Sequence, residues 1–268
     1  MIGEREPGVT RRLRGIYDRI GAPLFEVPFA VAELGKLVDN AWHAVKVAFA
    51  NEVARISAAH GLEPSGLAKP FLADMKLNLS ACYLQPGGPF GGSCLPKDLA
   101  GMRRLARAAG TATPLLAGVA RSNRDHLSWL VDAIAAQVPP PGPLLQFGLS
   151  FKSGTDDLRD SPLLALAGRL VARGYELAIH DPDVDPTKLL GANLEVARAH
   201  EAAWRGRLVR DPSVAARTAR LIVVGKTMPG VRETLPREVP VIELPGLSGL
   251  THPTVVRRRA RGLPRAAG

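Results

Sequence analysis

Leu144-Leu145-Gln146-Phe147-Gly148-Leu149-Ser150-Phe151, then Ser161 to Arg173 (Ser-Pro-Leu-Leu-Ala-Leu-Ala-Gly-Arg-Leu-Val-Ala-Arg), then Glu176-Leu177-Ala178-Ile179-His180, reads as strand, helix, strand. The flanking runs are apolar, short and close to glycines, whereas the middle one carries leucines at helical spacing behind a Ser-Pro start. Two further strands are expected at Leu221 to Val224 and Val239 to Glu243. Strands that alternate with helices call for crossover connections, so this part is expected to be a small doubly wound α/β domain with a parallel sheet.

Upstream, Pro139-Pro140-Pro141-Gly142 reads as a stiff linker and as the domain boundary. Residues 139–256 then form the sheet domain and residues 28–138 a helical one. The helical part is dominated by one segment, about Val27 to Ala59, that has no proline beyond Pro28 and repeats Val31, Leu34, Val38, Trp42, Val45, Phe49, Val53 and Ile56 at steps of three and four. That is a single long helix with an apolar stripe. It would run roughly 45 Å, too long for a small domain to cover. A partner subunit is the expected cover, making the chain a homodimer through this helix; the alternative is cover within one chain. Further helices are expected from Pro96, with Leu99, Met102 and Leu105 on its apolar side, and from Pro114 to Ala136. A basic amphipathic helix over residues 8–19 and a short strand-like stretch at Pro23 to Val27 open the chain.

With 46% hydrophobic and 22% charged residues, the 268-residue chain can bury a substantial core. No apolar run approaches the roughly 20 residues that span a bilayer, and the N-terminus lacks a secretory apolar segment, so no membrane partner and a cytoplasmic location are expected. The formal net charge of +10 invites a nucleic-acid reading, but Arg257, Arg258, Arg259, Arg261 and Arg265 fall in a Pro/Gly/Ala-rich tail over 257–268. A solvated tail is the expectation. Cys82 and Cys94 are too few for a disulfide framework or a zinc site, so no metal is expected.

Cys94 stands apart from Cys82, which reads as a small packed hydrophobe. It lies in Gly91-Gly92-Ser93-Cys94-Leu95-Pro96-Lys97-Asp98, behind two glycine pairs and at the start of a helix. A helix N-terminus with a neighbouring lysine favours the thiolate, the reactive form. Asp98, one helical turn on, is placed to orient or activate a water. On the long helix, Lys36, Asn40 and His43 share one flank, at spacings that suit either convergence on a ligand or a solvated face. A thiol attacking an aldehyde needs a cation and a hydrogen-bond donor beside the developing oxyanion, which lysine and asparagine supply.

Three segments carry a specific resemblance: Asn40 to Glu52 (Asn-Ala-Trp-His-Ala-Val-Lys-Val-Ala-Phe-Ala-Asn-Glu), Phe90 to Asp98, and Ser150 to Arg159 (Ser-Phe-Lys-Ser-Gly-Thr-Asp-Asp-Leu-Arg). In this order they resemble the UDP-glucose and GDP-mannose 6-dehydrogenase family. The resemblance implies a central dimerisation domain at 28–138 and a Rossmann-like nucleotide-sugar-binding domain at 139–256, with residues 1–27 as the end of an NAD-binding domain. It also implies oxidation of a sugar C6 alcohol to a carboxylate with two NAD reduced, through a cysteine thiohemiacetal and thioester. Carried over by residue, Cys94 is the nucleophile, Lys36 and Asn40 steady the oxyanion, and Asp98 assists the water. Lys97 and Arg159 would reach NAD, while His43, Asn51, Tyr83, Gly88, Gly91 and Lys152 would line the nucleotide-sugar site.

Trp42-His43, Leu95 and Ser150-Phe151-Lys152 are more similar to the GDP-mannose branch, although Cys82 and Gln85 stand where that branch has a tyrosine and an arginine. Family members begin with a dinucleotide-binding Gly-x-Gly-x-x-Gly turn, and that spacing occurs nowhere in the 268 residues. The catalytic glutamate of the family belongs to the same domain. The expectation is therefore a dehydrogenase that is not competent alone, either truncated or completed by a second polypeptide that supplies the NAD domain, or else a non-catalytic dimerisation or nucleotide-sugar-binding module.

Overall fold

A computed structural model describes residues 1–6, 8, 10–59, 61–75, 85–108, 110 and 113–250. Cys82, Tyr83 and the arginine tail at 257–268 lie outside the described residues.

The chain opens with strand β1 (Ile2–Glu4), helix α1 (Arg11–Tyr17), strand β2 (Glu26–Pro28) and helix α2 (Phe29–Ala59). β1 pairs with β2 in parallel, Gly3 opposite Val27. The strand at Ile2 was not foreseen, α1 is shorter than expected because the chain tightens into a 3-10 turn at Asp18–Ile20, and β2 begins only at Glu26. α3 (Pro64–Ala73), α4 (Leu95–Ala108) and α5 (Pro114–Gln137) complete the helical part. α3 is started by Glu63, whose carboxylate accepts from the Gly66 N–H, with proline at the first helical position.

α2 is one uninterrupted helix of 31 residues, as its spacing predicts. Its packed face is made of small residues. Ala41, Ala44, Ala48 and Ala54 are at most 5% exposed, and their size lets α4 and α5 approach closely, joined by Phe90, Leu95, Leu99 and Val119. The large side chains Val31, Leu34, Val38, Trp42 and Phe49 point away from that core, 45–57% exposed. Among the described residues, Phe71 of α3 lies against Phe49 at one end of this stripe, with ring centroids 5.9 Å apart, and the rest of it stays largely open; Val45, half-buried, turns towards α4 and α5 instead.

The sheet part runs β3 (Pro143–Phe147), α6 (Pro162–Ala172), β4 (Glu176–His180), α7 (Gly191–Ala199), α8 (Glu201–Trp204), α9 (Ser213–Thr218), β5 (Leu221–Val224), α10 (Val231–Thr234) and β6 (Val241–Glu243). Its four strands are parallel in the order β4-β3-β5-β6, with Leu144 opposite both Leu177 and Leu221. β5 reads Leu-Ile-Val-Val and is buried throughout, as a strand covered on both faces must be. β3 stops at Phe147 rather than Phe151 because Gly148, at φ +97°, turns the chain and gives its N–H to the His180 carbonyl. α6 starts at Ser161, whose hydroxyl accepts from the Leu164 N–H, with Pro162 next.

Packing continues across the Pro139–Gly142 segment. Leu127, Leu130, Val131, Ile134 and Val138 of α5 and its end pack in one cluster with Leu144, Leu163, Leu166 and Leu170, and the Tyr175 hydroxyl donates to the Val138 carbonyl at 2.5 Å.

Candidate active site

Cys94 is the residue immediately before α4, and its carbonyl accepts the Asp98 N–H at 2.9 Å, the first hydrogen bond of that helix. The thiol is exposed and in no disulfide, at the positive end of a 14-residue helix. One turn below it Asp98 is buried, 2% exposed. Lys36 Nζ donates to Asp98 Oδ2 at 2.5 Å, the Asn40 amide donates to the same oxygen, and Lys97 Nζ lies 3.5 Å from the other. The flank of α2 that carries Lys36 and Asn40 thus faces α4 and converges on one carboxylate. Burial would raise the Asp98 pKa, but the hydrogen bonds from Lys36 and Asn40 outweigh it and hold the group below the ordinary aspartate value. Lys36 is raised by its hydrogen bond to Asp98, against a smaller cost of desolvation, and further by the charge of that carboxylate.

A second loop, residues 148–160, closes the other side. Arg159 on it holds Asp157 bidentately at 2.9 and 2.8 Å. Its pKa is raised chiefly by that hydrogen bond and then by the Asp157 charge, and the guanidinium lies within electrostatic range of Cys94. Lys152 is exposed on the same loop and contributes to lowering Asp157. The two loops touch closely. A Cβ on Gly91 would come within 2.2 Å of the Asp160 carbonyl oxygen, and one on Gly92, at φ +79°, within 2.7 Å of the Phe151 ring. Only glycine permits this approach.

Asn51 is 1% exposed, and both ends of its amide are engaged by the glycine loop: Oδ1 accepts from the Gly87 N–H at 3.1 Å and Nδ2 donates to the Gly88 carbonyl at 3.3 Å. Gly88 sits half-buried beside Leu244. His43 is half-buried on α2, one turn beyond Asn40. Tyr83 lies outside the described residues. Cys94, Lys36, Asn40, Lys97 and Asp98 are therefore brought together, with Lys152 and Arg159 on the facing loop and Asn51, Gly88 and Gly91 in the loop that leads to the thiol.

Sequence reasoning missed two fasteners on α5. The Asn123 amide exchanges two hydrogen bonds with the backbone of Phe90, both 2.8 Å, and a ring nitrogen of fully buried His126 lies 2.8 Å from the Gly87 carbonyl. Their signal was available: Asn123 and His126, three apart, lie beside Ser122 on a helix that otherwise buries Val119, Leu127 and Leu130. Among the described residues no His/Cys/Asp/Glu group is placed to hold a metal ion, and no helix is long and apolar enough to cross a membrane.

Comparison with known proteins places these features in a wider set. Residues 30–125 match the UDP-glucose/GDP-mannose dehydrogenase family, central domain, and residues 145–236 match the UDP binding domain of that family. A GDP-mannose 6-dehydrogenase from Azotobacter vinelandii is 38% identical over 250 residues, which are 92% of this chain and 57% of that protein. A ternary complex of GDP-mannose dehydrogenase from Pseudomonas aeruginosa superimposes with a TM-score of 0.57 at 34% identity, over 93% of this chain and 57% of the other. A UDP-glucose dehydrogenase from Pyrobaculum islandicum superimposes with a TM-score of 0.78 at 24% identity, over 92% of this chain and 55% of the other, a likeness of fold. The chain thus spans a little over half the length of each.

Proposed function

The chain belongs to the UDP-glucose/GDP-mannose dehydrogenase family, and on that premise we propose that its Cys94 site handles the aldehyde and acyl levels of a nucleotide-sugar 6-dehydrogenase, with GDP-mannose as the preferred sugar nucleotide. The observation that carries this reading is the Asp98 carboxylate buried one turn beneath an exposed thiol and gripped by Lys36 and Asn40 from another helix. The preference for GDP-mannose is supported by the 34–38% identity to proteins of that name.

In this reading the Cys94 sulfur adds to the C6 aldehyde carbon. The carbonyl π pair moves to oxygen, and the resulting oxyanion, stabilised by Lys36 and the Asn40 amide, takes up a proton to complete the thiohemiacetal. At the acyl level, Asp98 accepts a proton from water as it attacks the thioester carbonyl, and the C–S bond breaks to release the carboxylic acid, which gives its proton to solvent, and the Cys94 thiolate.

The oxidation between these levels needs a hydride acceptor, and the family resemblance implies NAD. The residues present do not make an NAD site. The backbone N–H groups just ahead of α1, those of Gly8 and Thr10, are already taken by the Glu4 carboxylate, at 3.1 and 3.0 Å, and Glu26 sits beside them, so this turn offers no free amides to a phosphate. Two carboxylates would repel the phosphates. Lys97 and Arg159 remain as contacts at the edge of such a cofactor. We therefore read these 268 residues as binding sugar nucleotide without sustaining NAD reduction by themselves.

The exposed stripe of α2 supports a homodimer, and an exposed thiol nucleophile suits a reducing compartment such as the cytoplasm. The stripe also favours a second reading, a dimerising module without chemistry. Calorimetry with GDP-mannose and UDP-glucose, combined with NADH absorbance after NAD is added, tests both. Tighter binding of GDP-mannose without NADH supports the proposal, steady NADH production overturns the claim of incompetence, and absence of binding to either sugar nucleotide leaves the module.

A further inference from the structure

The strand order reverses between β3 and β5, and in open α/β sheets the crevice beyond the carboxyl ends at such a point is where ligands are met. Here the floor of that crevice is filled by a charge cluster. Lys226, two residues past β5, is 5% exposed and its Nζ donates to the Ser150 hydroxyl at 2.5 Å, to Asp181 at 2.9 Å and to Asp183 at 2.9 Å. An ammonium has three N–H donors, and all three are used. Asp181 also accepts from the N–H groups of Leu149 and Ser150, at 2.7 and 2.9 Å, and Asp183 from that of Gly154 at 2.9 Å. The Ser153 hydroxyl adds a bond to the Thr227 carbonyl.

Residues 149–154 are thus tied repeatedly to one cluster, and the lysine stem lies against the turn at Gly148, with Cγ 3.1 Å from where a Cβ would stand. The same loop goes on to meet the Cys94 loop. The Phe151 ring covers Gly92, and the Gly92 N–H donates to the Asp160 carbonyl at 3.1 Å.

We infer that Lys226 is a positioning residue for the Cys94 site: by neutralising Asp181 and Asp183 it fixes residues 149–160, and with them Phe151, Lys152 and Arg159, against Gly92 and Cys94. Its consequence for ligand binding rests on the function proposed above, whereas the mechanical link does not. Removing the cation leaves a buried carboxylate facing a half-buried one, and such a pair relaxes by admitting water or protons and letting go of the loop.

The test is hydrogen exchange on the full chain. Lys226→Met should speed amide exchange at least 10-fold in the peptides covering 149–154 and 91–94 together, and Lys226→Arg should restore most of the protection. Leu170→Ala, which empties core at the far end of α6, should leave the 91–94 peptide unchanged apart from global opening. Protection that is unchanged in Lys226→Met, or lost at 149–154 alone, overturns the inference. If Lys226→Met does not fold, Asp183→Asn keeps an acceptor for Gly154 and should show a smaller rise, about 3-fold, in the same two peptides; exchange as in the parent overturns the link. A second readout is protection of Cys94 from iodoacetamide by GDP-mannose, mapped by peptide mass spectrometry. It should fall from about 10-fold to under 2-fold in Lys226→Met and return in Lys226→Arg. A parent protein that neither GDP-mannose nor UDP-glucose protects counts against the proposed function, and the exchange result still decides the role of Lys226.

Discussion

The Lys36–Asp98 pair is 2.5 Å long and the Lys226–Asp181 pair 2.9 Å, yet the lysine side chain is 58% exposed in the first and 5% in the second. Both aspartates are buried, and burial would raise the pKa of each. In both cases hydrogen bonding reverses the shift: from Lys36 and Asn40 at Asp98, and from the Leu149 N–H, Lys226 and the Ser150 N–H at Asp181. What differs is spare capacity. Lys36 turns the rest of its ammonium to solvent beside Cys94, so it can meet an incoming oxyanion, while Lys226 has committed every donor inside the protein. The same two side chains make a reactive pair when one is left open and a structural clamp when both are enclosed.

The contrast breaks most visibly at Asp181. Asp181→Ala strands a buried ammonium and frees the Leu149 and Ser150 amides, and it should cost about 3–5 kcal/mol of stability, read from the urea midpoint. A loss below about 1 kcal/mol would mean that the cluster is not a clamp.

At the open pair the effect should be on rate instead. With Cys94 acylated by an activated ester and followed by intact mass, Asp98→Asn should slow deacylation on the order of 100-fold while leaving acylation nearly unchanged. Equal deacylation rates would remove Asp98 from the water-activating role.

Acid sharpens the comparison further. Both aspartates have folded-state pKa values below their unfolded ones, so the stability they contribute is complete above the unfolded value, near 3.9, and is lost as pH falls through the folded value. Their contribution to the urea midpoint, read as the difference between the parent and the Asp→Asn variants, should therefore be flat between about pH 7 and pH 5 and be lost below about pH 4. Asp181→Asn should reduce that loss more than Asp98→Asn does. The smallest effect belongs to Lys36→Gln, which can still donate to Asp98 and should lower the urea midpoint by less than Asp181→Ala does, while slowing addition of Cys94 to an aldehyde probe a few-fold, because the cation that meets the oxyanion is gone.

The sheet was legible because its strands are apolar runs flanked by breakers, and Leu221 to Val224 falls where the sequence places it. β1 was not legible, since three residues, Ile2–Glu4, become a strand only by pairing with residues 26–28. α2 was legible as a helix but not in its orientation. Large residues at steps of three and four mark a stripe, and it is the alanines on another face, Ala41, Ala44 and Ala48, that pack inside. Size patterning does not reveal which of two apolar faces the rest of the chain will cover.

At the site, Cys94 and Asp98 could be paired from one helical turn, and Lys36 with Asn40 from one flank. Lys226 could not be matched to Ser150 or Asp181, because their proximity exists only once β3, β4 and β5 lie side by side.

The shared core of α5 and the sheet has a practical side. Since Leu130 and Ile134 are sealed by Leu144, Leu163 and Leu166, the segment at Pro139–Gly142 is a poor place to cut. A fragment ending there would bare a leucine-rich helix face, and one starting there would lack a wall of its interior. The smallest autonomous cooperative unit should begin ahead of Pro114, and its melting should appear as a single transition in which α5 and the strands are lost together.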